Sequence, residues 1–212
     1  MLMYAPIDMP PCPQLQLSHL PFWNHGPATE GEDHSWEMTK LTEVEHDDSG
    51  KDTYAPKGMY SQFAKANPKF VDWLKQHLPY RHIINLKILR QNTKHGAGLH
   101  VDLLQPGKDL PLYHHTIFNE PLGYRVLLKG KREDCLYTLN RNQEKVYCNL
   151  PESTNVWCQN HSANLHGAKP DEGREVLFMH LIVEPQEHRS LLQKSLAKYG
   201  EYAIRFNYGC EI

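Results

Sequence analysis

Several things are missing from this 212-residue chain, and each absence narrows what it can be. No run of residues is long and apolar enough to span a bilayer, so no transmembrane helix is expected. Residues 1–13 carry no Lys or Arg and are interrupted by Pro6, Pro10, Pro11 and Pro13, a pattern unlike a secretory signal peptide. An excess of either charge is also missing: 23 Lys and Arg stand against 25 Asp and Glu, a formal net charge of −2. Without a concentrated positive field to meet a phosphate backbone, no nucleic-acid partner is expected. Cysteine is sparse and unpaired by spacing. The five (Cys12, Cys135, Cys148, Cys158, Cys210) are odd in number and include no C-x-x-C pair. That argues against a disulfide framework or a zinc knuckle and for reduced thiols in a cytoplasmic protein. Internal repeats and low-complexity tracts are absent as well.

What the chain does have is a 40% hydrophobic share, enough to fill the core of one ordinary domain, and 14 histidines. Residues 1–57 are rich in Pro, Asp, Glu, Gly and Thr, with an acidic stretch from Glu43 to Asp48. They predict an irregular N-terminal arm ahead of a domain over residues 58–212. Asn67 as a cap and Pro68 at the first helical position open a helix that places Phe70, Trp73, Leu74 and Leu78 on one side before Pro79 stops it. Residues 84–90 alternate and are β-branched, and with residues 96–104 they read as two strands joined by a polar turn. Further strands are predicted at 124–128, 135–139, 145–149, 155–159 and 175–183, separated by turn signals such as Lys129-Gly130 and Asn140-Arg141-Asn142. Pro185 begins a second helix with Leu191, Leu192, Leu196 and Tyr199 on one side and Gly200 placed to end it, followed by a last strand at 202–207. Short strands at this pitch predict a mainly β sandwich or barrel-like roll with flanking helices.

Within a strand, residues two apart share a face, so His100 and Asp102 are predicted to project together into the interior of the roll. An imidazole beside a carboxylate suits a divalent iron ion, and a third ligand from elsewhere would complete one face and leave the other open. Asn164-Leu165-His166-Gly167-Ala168 offers that ligand in His166, 64 positions beyond Asp102, with Gly167 expected to permit a close turn. His161 is a rival, five residues away and hence on the opposite face of an ideal strand. The pair His114-His115 is a poor chelate, because adjacent strand residues face opposite ways.

Gly98-Leu99-His100-Val101-Asp102, then Leu165-His166-Gly167-Ala168, then Arg174 entering a hydrophobic strand, resembles the H-x-D…H…R pattern of the 2-oxoglutarate and Fe(II)-dependent oxygenases. Within that family the resemblance is to the aspartyl and prolyl hydroxylase branches, and it covers roughly residues 83–185. It implies a double-stranded β-helix, a jelly-roll shared with the cupins. It further implies Fe(II) held by His100, Asp102 and His166, with 2-oxoglutarate and oxygen as cosubstrates. A basic residue pairs with the distal carboxylate of 2-oxoglutarate; Arg174 matches it, although the interval of eight residues after His166 is short. Arg125, on an earlier strand, is the alternative anchor, against the ordinary expectation that a lone strand Arg faces outward. Tyr113, Tyr124 and Trp157 could wall a substrate cavity, or be plain core.

On this reading the chain is a hydroxylase acting on an amino-acid side chain, in a protein or free, or on a small metabolite. Specificity would lie in the loop at 105–119 and in the N-terminal arm. Two other readings stand beside it. A cupin-like metal-binding or isomerase protein would share the roll, but would need no anchoring Arg. A non-catalytic interaction module would work through the first helix and the acidic arm instead. Composition is silent on the oligomeric state.

Overall fold

A computed structural model of the chain describes residues 1–18, 20, 22–25, 36–41, 45–46, 52–53, 61–91, 96–100, 123–160 and 165–206. Among these the protein is mainly β with few helices, and every strand pairing is antiparallel. The strands are β1 (Leu2–Pro6), β2 (Trp23–His25), β3 (Trp36–Lys40), β4 (Glu45–His46), β5 (Asp52–Thr53), β6 (Tyr80–Gln91), β7 (Ala97–His100), β8 (Gly123–Lys129), β9 (Leu136–Leu139), β10 (Lys145–Tyr147), β11 (Val156–Gln159), β12 (His166–Ala168), β13 (Glu175–Val183) and β14 (Ile204–Arg205). The helices are α1 (Ser61–Ala66), α2 (Pro68–His77) and α3 (Pro185–Tyr199). Eight strands form one sheet in the order β14-β1-β11-β8-β13-β6-β3-β2, four form a second in the order β10-β9-β12-β7, and β4 pairs with β5 alone.

The alternation of side chains along the large sheet separates two cores. On one face Leu86, Ile88, Tyr124, Val126, Val156, Cys158, Leu177 and Met179 pack with Phe63, Phe70, Trp73 and Leu74 of α1 and α2 and with Leu192 of α3. The odd partners in the same strands turn the other way. Leu127 and Trp157 join Tyr4, Leu136, Cys148 and Leu150 in a second cluster that bridges to the small sheet. The fold is therefore layered, with helices, large sheet and small sheet in that order.

The helices follow the predicted periodicity, with two changes at their ends. Asn67 occupies the cap position of α2, but its side chain makes no capping bond. Its Oδ1 instead accepts from the Gln16 backbone N–H at 2.7 Å and its Nδ2 donates to the Phe63 carbonyl, so it ties the N-terminal segment to α1. Gly200 does not stop α3 in the left-handed conformation; it stays right-handed and the chain tightens into a 3-10 turn, Gly200–Tyr202.

The predicted irregular arm over residues 1–57 is corrected at its start. Leu2–Pro6 is an interior strand of the large sheet, between β14 and β11, with Met3, Tyr4, Ala5 and Ile7 all buried. Trp23–His25 and Trp36–Lys40 extend the opposite edge by pairing onto each other and onto β6. Composition averaged over 57 residues hid a short apolar run whose strand conformation is supplied by partners more than 140 residues away in sequence.

Tyr4 therefore supports the fold rather than decorating it: it is 1% exposed, and its hydroxyl donates to the Asn149 carbonyl at 2.9 Å. Tyr4→Ala should lower the unfolding free energy in urea by about 3–5 kcal/mol, as for other buried aromatic truncations. Tyr4→Phe should lower it by about 1 kcal/mol through the lost hydrogen bond. Exposed Gln14→Ala should shift it by less than about 0.5 kcal/mol; equal effects at positions 4 and 14 would contradict the strand's place in the sheet.

Candidate active site

The small sheet brings two of the sequence-selected residues together. β12 pairs with β7 so that His166 and His100 are direct cross-strand partners, and their rings lie 4.4 Å apart between centroids. Antiparallel partners share a face, so the pairing itself aims both imidazoles the same way. His166 is 3% exposed, and His100 is half-buried. Nδ1 of His100 is 2.7 Å from the Gly98 carbonyl oxygen. A carbonyl only accepts, so Nδ1 carries the proton, and in the neutral ring the lone pair then sits on Nε2, the tautomer a metal ligand needs.

Gly167 has a different role from the one its sequence position suggests. It lies within β12 rather than in a turn, and its φ is not positive. A Cβ there would meet the Ala97 carbonyl oxygen at 2.8 Å and the Tyr137 hydroxyl at 2.8 Å. Close approach of β7 and of the Tyr137 ring, not backbone turning, requires the glycine.

Both histidines open into a cavity of about 220 Å³ between the two sheets, which Arg125, Arg174, Trp157 and Phe178 also line. Arg174 is 4% exposed, and its Nη1 has no hydrogen-bond partner among the described residues. Gln91, on the same cavity, has a buried Oε1 in the same condition. Arg125 is equally buried, not the outward-facing residue that a lone strand Arg would ordinarily be. Its Nη1 donates to Gln159 Oε1 at 2.7 Å, and its guanidinium carbon lies 3.8 Å from the centroid of the Phe178 ring. Among the described residues lining the cavity there is no Asp or Glu. Buried guanidinium groups are costly unless an anion or a full set of acceptors meets them. A larger, shallower groove of about 550 Å³ runs past Tyr147, Tyr202 and Arg205, away from both histidines, and lacks this chemistry.

Arg174 also acts on its surroundings. Burial pushes the Cys135 thiol up, and the guanidinium, which donates to its sulfur, partly opposes that. Burial likewise raises Cys148 and Cys158, and it pushes Cys12 up to about 12. All four described cysteines are thus neutral free thiols, as their spacing predicted, and unsuited to bind a metal as thiolates.

The sequence-selected residues divide into three sets. His100, His166, Arg125, Arg174 and Trp157 meet at one cavity. Tyr124 does not wall it: its hydroxyl is 2.7 Å from His188 Nδ1 on the helix side of the sheet. Asp102, His161, Tyr113, His114 and His115 lie outside the described residues. Among the described residues, no three of His, Cys, Asp and Glu converge as a metal-binding group. Sequence reading missed Lys87, Gln91, Gln159 and Phe178. Strand parity would have found Lys87 and Gln91 together on β6, but not which face of that strand meets a cavity.

No family model matches the chain, and no curated protein does. Among solved structures it is similar to an oxidoreductase of the 2OG-Fe(II) oxygenase family from Burkholderia pseudomallei, at 14% identity and a TM-score of 0.43, over 76% of this chain and 73% of that one. It is also similar to OsALKBH1, at 16% identity and a TM-score of 0.39, over 75% and 84%. At such scores the likeness carries neither fold nor function to this chain.

The turn after β8 closes over the stem of Arg174. Gly130 has a φ of +117°, and a Cβ there would lie 2.7 Å from Asp171 Oδ2 and 2.8 Å from Arg174 Cγ. Asp171 Oδ2 in turn accepts from the Lys131 backbone N–H at 2.7 Å. Gly130→Ala should therefore lose more than about 1 kcal/mol of stability, from the positive φ and the crowding together. Gly200→Ala, with right-handed φ and nothing within 4 Å, should lose none. Urea unfolding of the two variants checks this, and equal stabilities would contradict the packing of the turn.

Proposed function

We propose that the chain is an Fe(II)- and 2-oxoglutarate-dependent oxygenase of double-stranded β-helix architecture. It hydroxylates an amino-acid side chain, in a protein or free, or a small metabolite. The observation that carries the reading is the facing pair His100 and His166 on a buried cavity that also holds Arg174, whose Nη1 has no described partner. The donor set suits the group: two imidazoles, one with its tautomer fixed by the Gly98 carbonyl, are ligands for a divalent iron ion. Asp102 is the proposed third ligand, two residues beyond His100.

Bound iron, with 2-oxoglutarate and oxygen, supplies oxidative hydroxylation coupled to release of succinate and carbon dioxide. The chain's own residues do the rest. Arg174 presents a forked donor set to the distal carboxylate of 2-oxoglutarate, and the surrounding burial strengthens that pairing. Trp157 and Phe178 line the chamber and keep water from the reacting centre. The neutral free thiols fit a reducing, cytoplasmic setting, and no helix among the described residues is long and apolar enough to cross a membrane.

Anaerobic addition of Fe(II) and 2-oxoglutarate to the protein should give the visible charge-transfer band of bidentate chelation, with Zn(II) binding but supporting no turnover. His100→Ala, Asp102→Ala and His166→Ala should each abolish iron binding, whereas His161→Ala and His115→Ala should keep most of it. A fully metallated sample without the band would remove the oxygenase reading in favour of a cupin-like one.

Arg174→Ala should weaken 2-oxoglutarate binding by ~2–5 kcal/mol while iron binding survives, because the carboxylate is then buried without a counter-charge. Arg174→Lys should recover only part of the loss, since a point charge does not reproduce the forked contact. Titration through the charge-transfer band reads both. A steep loss in Arg125→Ala with none in Arg174→Ala would move the anchor to β8.

A further inference from the structure

Two buried polar groups at one end of the chamber have complementary needs and do not meet each other. Lys87, Leu89 and Gln91 of β6 all line the cavity, at the two-residue spacing that one strand face requires. Arg174, immediately before β13, and Val176 and Phe178 within it line the cavity at the same spacing. The two strands pair so that Phe178 stands opposite Lys87 and Val176 opposite Leu89. The next step in that register sets Arg174 opposite Gln91, and the backbone follows it: the Gln91 N–H donates to the Arg174 carbonyl at 2.9 Å, and the Gly173 N–H donates to the Gln91 carbonyl at 3.1 Å. Side chains paired in this way start about 5 Å apart. Gln91 is 6% exposed and Arg174 4%, yet among the described residues neither Oε1 of Gln91 nor Nη1 of Arg174 has a hydrogen-bond partner.

A buried acceptor and a buried donor left unmet side by side are costly, and joining them would remove the cost. The Arg174 guanidinium is instead held toward another partner: it donates to the Cys135 sulfur, and the turn at Gly130 closes over its stem. The pair is thus fixed by its surroundings and open to a third group. An amide has an acceptor at one end and two donors at the other, and a half-turn about its last torsion exchanges them.

We propose that Gln91 is a specificity-determining residue of the Arg174 end of the chamber, where the two side chains together read a planar carboxylate at the end of the ligand. Gln91 turns its amide so that Nε2 stands beside Nη1 of Arg174, and two donors from adjacent strands meet the two oxygens of the acid. Arg174 supplies the charge. Gln91 adds orientation and a second hydrogen bond without a second charge. The inference rests on the oxygenase reading for the identity of that acid, the distal carboxylate of 2-oxoglutarate, but the paired site itself does not.

Isothermal titration of the Zn(II)-loaded full chain tests this without turnover, using 2-oxoglutarate and 2-oxopentanoate, which has a methyl group in place of the distal carboxylate. The ratio of the two affinities isolates what the end group contributes. Gln91→Met, similar in size but without the amide, should lower that ratio about tenfold, the share of one hydrogen bond to a charged group, while the affinity for 2-oxopentanoate stays within about threefold. Gln91→Glu should lower it further, because the new carboxylate repels the ligand's own and pairs with Arg174. A ratio unchanged in Gln91→Met would overturn the proposal with the oxygenase reading intact. So would equal losses for both ligands, since a residue that only supports the fold weakens them alike. A second arm uses the metal-free protein with glutarate and its monoamide, neither of which carries a 2-oxo group. If 2-oxoglutarate does not bind but glutarate is preferred over the monoamide and Gln91→Glu reverses that preference, the oxygenase reading falls and the paired site stands. Binding of neither acid in the unaltered protein would overturn both.

Discussion

Two guanidinium groups, Arg125 and Arg174, are buried to the same degree in a chamber whose described lining offers no carboxylate, and the architecture around the chamber answers to that. An ionised group withdrawn from water is held only by hydrogen bonds, by aromatic faces or by an incoming anion, and each arginine is supplied with some of these. Arg125 has Gln159 and the Phe178 face. Arg174 has the Cys135 sulfur and the turn at Gly130 closing over its stem, which fixes its position without neutralising it.

The large sheet separates its two faces. Leu177 and Met179 pack into the helices, while Val176 and Phe178, their neighbours in the chain, face the chamber. The apolar face against α1, α2 and α3 carries the main core. The opposite face can then hold charge, because strand alternation allows one residue to serve the fold and the next to serve the site. The small sheet completes the chamber: cross-strand pairing gives two imidazoles a common direction, and Gly167 lets the strands and Tyr137 come close enough to hold them there. The second cluster, with Tyr4 of β1 and Leu136 of β9, ties that sheet to the large one, so the N-terminal strand supports the site from a distance.

Periodicity and punctuation in the sequence determined most of the local structure. Alternation and turn signals located β6, β8, β9 and β13; the Pro68 and Pro185 starts located α2 and α3. Those features are local, and local sterics and hydrophobic spacing decide them. The resemblance to the H-x-D…H…R pattern pointed to His100, His166 and Arg174, and the structure places all three on one cavity. Tertiary structure decided what local chemistry leaves open. Leu2–Pro6 is a strand because β11 and β14 flank it, not because its residues demand it. Arg125 faces inward while Tyr124 beside it meets His188, since parity fixes that neighbours differ but only the packing of two sheets fixes which face is inside. Gln159 and Phe178 enter the site through pairings between strands far apart in the chain, a register set by the whole sheet and carried by no single segment.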